Sequence, residues 1–115
     1  MVNEEEKQAF LKRVADLGVK YDHVRQIEVY LPGRAVELVL PNAEGKRNSL
    51  QIYLSIRNPA GYIGDSEALR GLEVFGQAYR QEAAEQKGKH PAIDLLENVV
   101  SAHQRFILDV HEVSQ

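Results

Sequence analysis

Two short stretches carry the residue types best suited to chemistry. The first is NAEGKRNSL, Asn42 to Leu50, where Gly45 precedes Lys46 and Arg47, and Ser49 stands at the start of an apolar run. If a helix begins near Asn48 or Ser49, its free N–H groups and positive dipole end face whatever lies before it. Lys46 and Arg47 then add formal charge and Ser49 a hydroxyl, giving an anion site for a phosphate or carboxylate. The loop is not a Walker A motif, which needs a glycine where Leu40 stands and Ser or Thr where Arg47 stands. The plainer reading, given the greater weight, is a turn and helix start with solvated cations.

The second stretch is GKHPAID, Gly88 to Asp94. His90 sits just before a helix opened by Pro91, beside Lys89, with Asp94 in the first turn. A histidine there can act as general acid or base if a partner orients it. No partner is visible in sequence, so the competing reading makes Lys89 and His90 loop residues and Asp94 a complement to the helix dipole. Lys46, Arg47, Ser49, Lys89 and His90 are the candidate ligand-binding residues, with His90 a weak catalytic candidate.

The other titratable groups point to structure more than to chemistry. His103 falls in the middle of an apolar helical stripe, which suits a hydrogen-bonded core residue or an inter-subunit contact. His111 follows eight residues on, not at the spacing of four that sets two metal ligands side by side on a helix. His23 is isolated, and no metal site is expected. Glu28 and Glu37 are expected opposite each other on a hairpin, solvated or neutralised by Arg25 or Arg34. Glu82, Glu85 and Lys87 read as the solvated end of a helix, and the five tyrosines are too dispersed for a base-stacking platform.

Composition narrows the classes further. The chain has 115 residues, a net charge of −3 with both signs interspersed, and no cysteine. Disulfides, thiolate metal sites and a cysteine nucleophile are therefore excluded, and the balance of charge argues against nucleic acid as a partner. The N-terminal MVNEEEKQ is acidic where a secretory signal is basic and then apolar, and no apolar run approaches a membrane span. The expectation is a single cytoplasmic domain, with no cofactor and no membrane.

These residues must be positioned by an ordinary set of elements. Asn3 with Glu6 forms a capping box for a first helix through Phe10, Leu11, Val14 and Leu17, closed by Gly18. Ile27, Val29 and Leu31 alternate, Pro32-Gly33 turns, and Val36, Leu38 and Leu40 alternate again. A two-residue turn would set Ile27 opposite Leu38, Val29 opposite Val36, and Glu28 opposite Glu37. Leu50, Ile52, Leu54 and Ile56 alternate as a strand would, yet Asn48 with Gln51 resembles a helix cap, so Ser49–Asn58 stays open between the two. Asp65 or Ser66 caps a helix with the stripe Ala68, Leu72, Phe75 and Tyr79. Gly71 and Gly76 weaken it, which implies close approach of a neighbour. The last helix is expected to run from Pro91 through Ala92, Leu96, Val99, His103, Phe106, Val110 and Val113, its broad seam facing the core and in part a partner subunit.

The order Gly45-Lys46, Ser49-Leu50, Tyr53, Gly71-Leu72, Phe75 and then GKHPAIDLL resembles a small bacterial family, domain of unknown function twenty-three twenty-two, from about Ile27 to Leu96. Arg47-Asn48 departs from the glycine expected before Ser-Leu, and Ala92 from an asparagine. The C-terminal helix is expected to be longer than in typical members. The resemblance implies a bacterial cytoplasmic protein and favours a helix for Ser49–Asn58; it transfers no catalytic residue. The whole reading is an α+β domain over residues 1–115: an N-terminal helix, a β-hairpin, a short ambiguous segment, and two long C-terminal helices packed on the hairpin. Its expected function is a non-enzymatic binding or interaction module, homodimeric through the last helix or docked on another protein. The alternative is a protein that binds a small anion at Gly45–Ser49, with or without weak catalysis.

Overall fold

The computed structural model describes residues 1–113 and is α+β, with four helices on one side of a four-stranded antiparallel sheet. Helix α1 (Glu4–Asp16) is capped as its sequence dictates: Asn3 accepts from the Glu6 N–H at 2.8 Å and Glu6 reaches back to the Asn3 N–H at 3.2 Å. Strand β1 (Val24–Tyr30) and strand β2 (Val36–Pro41) form the hairpin. Its register differs from a two-residue turn. Ile27 pairs with Leu40, Val29 with Leu38 and Tyr30 with Val36, leaving Glu37 as a bulge and setting Glu28 opposite Val39. Proline explains the shift. Pro32 holds a negative φ, Gly33 takes φ 74°, and the Arg34 N–H closes on the Leu31 carbonyl at 3.0 Å. That turn has the wrong hand for a tight two-residue hairpin, so extra residues join the loop.

The ambiguous segment is a helix, α2 (Arg47–Ile56), which buries Leu50, Ile52, Tyr53 and Ile56. Its N-cap is Lys46 rather than Asn48, and no side chain caps its first turn. A short strand β3 (Tyr62–Ile63) leads into α3 (Asp65–Glu85). The N-cap there is Gly64, not Asp65 or Ser66, and Glu67 supplies the cap by accepting from the Gly64 N–H at 2.8 Å. Burial alone would raise the Glu67 pKa, but bonds from Gly64, Asn58 and Ser66 outweigh it and hold it below the usual value.

The two glycines of α3 have different reasons. At Gly71 an added Cβ would lie 2.8 Å from Leu96 Cδ1 and 2.9 Å from Ile56 Cδ1, so the glycine lets α3 close on its neighbours. Gly76 breaks the helix with φ 84° and ψ 165°, a conformation open only to glycine. The Arg13 guanidinium fills the break, donating to the Val74 carbonyl at 2.8 Å and the Phe75 carbonyl at 3.1 Å.

The largest departure comes at the end of the chain. Helix α4 (Pro91–Ala102) stops where His103 adopts the left-handed conformation at φ 53°, and strand β4 (Phe106–Glu112) follows. The expected long helix through Val113 does not form. Phe106, Leu108 and Val110 alternate, and a spacing of four fits a strand face as well as a helix stripe. β4 enters between β1 and β3, giving the order β2-β1-β4-β3. The core lies between one sheet face (Ile27, Val29, Leu40, Phe106, Leu108) and the helices (Leu50, Tyr53, Leu72, Leu96, Val99), all of them buried. Each such side chain contributes about 1.5–3 kcal/mol on burial. The apolar seam of α4 that suggested self-association (Ala92, Ile93, Leu95, Leu96 and Val99) is buried within the chain itself.

Candidate functional site

A cleft of about 320 Å³ opens where the C-terminal half of β2 meets the beginnings of α2 and α4. Three segments line it, two of them neighbours in sequence and the third distant: Leu38–Leu40 from β2, Gly45, Lys46 and Ser49 from the loop into α2, and Lys89–Ile93 from the start of α4. Phe75, at the break in α3, adds an aromatic wall. Four of the five candidate residues (Lys46, Ser49, Lys89 and His90) therefore share one concavity. Arg47 does not. Its Nε donates to Asn42 Oδ1 at 2.9 Å, and Asn42 is itself tied to the Tyr21 and Val24 carbonyls.

Local sequence explains how each group arrives. Gly45 takes φ 86° and turns the chain sharply from β2 into α2, leaving Lys46 at the N-cap with the uncapped N–H groups behind it. Gly88, at φ 88°, makes the equivalent turn before α4, where His90 is the N-cap and Pro91 the first helical residue. The His90 carbonyl accepts from the Ile93 and Asp94 N–H groups at 3.0 Å each, which fixes the backbone of the histidine. Tyr53, fully buried, donates its hydroxyl to the Ala92 carbonyl and ties α4 to α2 at the same point.

The residue that organises the cluster is Glu82. It is 6% exposed, and its Oε1 lies 2.8 Å from His90 Nε2 and 2.9 Å from Lys89 Nζ, while its Oε2 accepts from the Val2 N–H at 3.1 Å. The His90 hydrogen bond, then Lys89, then Val2 hold the Glu82 pKa down at about 2. The His90 ring also stands edge-on to Tyr79, with centroids 5.8 Å apart. Burial, then the Glu82 charge, raises the Tyr79 pKa, which keeps its phenol neutral. With Nε2–H donated to Glu82, a neutral His90 presents its lone pair on Nδ1, which is the arrangement a general base requires. Glu82 is the orienting partner absent from the sequence reading, which placed it on a solvated helix end. A signal did exist: Glu82 falls three residues after Tyr79, on the continuation of the apolar stripe Ala68, Leu72, Phe75 and Tyr79.

The remaining histidines stand elsewhere. His103, expected inside an apolar seam, is exposed at the end of α4 with Nδ1 2.9 Å from Asp65 Oδ2. His111 lies on the outer sheet face, its Nε2 shielded from solvent and 3.3 Å from Glu28 Oε1 without a well-aligned hydrogen bond. Tyr30 donates to Asp109 Oδ2 at 2.8 Å on the same face, and Gln26 to Glu28 Oε2 at 2.8 Å. Glu28 faces Asp109 of β4, not Glu37. Among the described residues no three His, Asp or Glu side chains are grouped to hold a metal ion, and no helix is long and apolar enough to cross a membrane.

No curated protein and no solved structure matches the chain. A family described as "Uncharacterized protein conserved in bacteria (DUF2322)" matches it over residues 10–110, and the chain belongs to that family.

Proposed function

We propose that the protein binds a small anionic ligand, a carboxylate or phosphate with an apolar body, in the cleft between β2 and the starts of α2 and α4. The observation that carries this reading is the meeting of Lys46 and Ser49 with Lys89 and His90 in one cleft that also has apolar walls from Leu38, Leu40, Phe75 and Ile93. Convergent polar groups beside apolar walls are a usual form of a small-molecule site. The charge sign favours an anion. Glu82 pairs with Lys89 and His90, which leaves Lys46 as the cation in the cleft with no carboxylate partner among the described residues to face a ligand. The first turns of α2 and α4 add their positive dipole ends.

A thermal-shift panel of phosphate, sulfate, acetate, hexanoate and benzoate tests the reading. Hexanoate or benzoate is expected to raise Tm more than acetate, because only they reach the apolar walls. Lys46→Ala with Ser49→Ala removes the rise, whereas Arg47→Ala keeps it, since Arg47 faces Asn42. No rise with any anion at millimolar concentration rejects the site.

A further inference from the structure

The cleft does not end at its cationic pole. A second, contiguous depression continues along the same edge of β2 and the same helix, lined by Glu37, Leu38, Pro91, Asp94, Leu95 and Asn98. Leu38 and Pro91 belong to both, so the two form one groove between β2 and α4. The floor is strand and the opposite wall is helix. Lys46, Lys89 and His90 stand at one end and Glu37 lies towards the other, with Asp94 between them, its Oδ2 accepting from the Gly88 N–H at 3.2 Å.

β2 is an outer strand of the sheet, and among the described residues no strand pairs with its free side. Its backbone groups on that side follow from the ladder. The Asn42 N–H reaches the Arg25 carbonyl of β1 at 2.9 Å, so by alternation Leu40 and Leu38 also face β1 and Val39 faces outward. Val39 thus offers one N–H and one C=O along the groove, and its side chain is 43% exposed. Pro41 has no N–H, and its carbonyl already accepts from Ala43 at 2.9 Å, so strand pairing cannot continue past the cationic end. A ligand strand laid here meets positive charge just where pairing must stop.

We propose that the groove receives the free C-terminus of an extended peptide, added to the edge of β2 with its terminal carboxylate among Lys46, Lys89 and His90. The inference rests on the anion reading above and names the anion. The cations lie at the C-terminal end of β2, so the ligand strand runs parallel to β2, and Val39 bonds the two ligand residues that flank it. The last side chain of the ligand enters the apolar pocket of Leu40, Phe75 and Ile93, which calls for a Val, Leu or Phe. Glu37 favours a Lys or Arg a few residues upstream.

The test uses the full chain, isotopically labelled, with a pool of N-acetylated hexapeptides ending in Val, Leu or Phe and carrying Lys at the third residue. The free-acid pool is expected to move the amide resonances of Val39, Leu40 and Lys46 and to raise Tm. The same pool amidated at its C-terminus binds about ten- to a hundredfold more weakly, as loss of a charge-assisted contact implies. Methylating the backbone nitrogens of the last three residues in turn abolishes binding at the position whose N–H meets the Val39 carbonyl. Equal binding of acid and amide pools overturns carboxylate capture, and tolerance of all three methylations overturns strand addition. If hexanoate binds with the Lys46 dependence described above and no peptide does, the peptide inference fails while the anion site stands. Silence from peptides and small anions alike removes both.

Discussion

Helix α4 is flanked by two histidines, each next to a carboxylate, and the two ends behave as different kinds of place. His90 Nε2 lies 2.8 Å from Glu82, and His103 Nδ1 lies 2.9 Å from Asp65, so the distances nearly coincide. Their surroundings do not. Side-chain exposure is 24% and 6% for the first pair, against 76% and 48% for the second. Water screens the exposed pair, which leaves it worth little. At the His90 end, Lys89, the Val2 N–H and the Tyr79 ring close around the carboxylate, so one ring orientation is held and a cleft is built upon it. A histidine beside a carboxylate at nearly the same distance thus makes a surface contact at one end of a helix and a candidate site at the other.

The largest expected effect comes from breaking the support of the buried pair at a distance. Gly76→Ala forces a side chain into a conformation reserved for glycine and against the Arg13 guanidinium, at a cost of about 1–3 kcal/mol. Because the segment after the break carries Tyr79 and Glu82, the variant should also lose any anion-induced rise in Tm. Chemical denaturation and the anion panel read the two effects separately.

Next comes acid. The folded Glu82 pKa, about 2, lies below the model-peptide 4.5, so its contribution is fully present above pH about 4.5 and is lost as pH falls toward 2. Glu82→Gln should flatten the pH dependence of stability in that window, with Asp65→Asn leaving it in place. An unchanged acid limb in Glu82→Gln would erase the distinction between the two pairs. At the other end, His103→Gly relieves a left-handed residue and should stabilise the fold by about 0.5–1 kcal/mol despite losing the Asp65 contact. The smallest effect is that of Asp65→Asn itself, within about 0.5 kcal/mol in urea unfolding.

Much of this was legible in the residues. The capping box at Asn3 and Glu6, the turn at Gly18, the stripe of α3 and the proline that opens α4 all follow from contacts within a few positions. So did the chemical character of Lys46, Ser49, Lys89 and His90. Illegible were the features that depend on a distant partner. Phe106 and Val110 fit a helix stripe and a strand face equally, and only the slot between β1 and β3 selected the strand. Arg47 and Lys46 are adjacent and alike in type, yet Asn42 holds one away while the other lines the cleft.

The sequence by itself determined how α1 and α4 begin, the apolar stripe of α3 and which residues carry charge, because caps, turns and periodicity are local interactions. Tertiary structure alone decided that α2 and α4 begin at one place, that the edge of β2 runs between them, and that Glu82 is buried against His90. Those outcomes depend on how a break at Gly76 and a strand inserted at Phe106 direct whole elements toward one another, and no local interaction encodes a direction across the core.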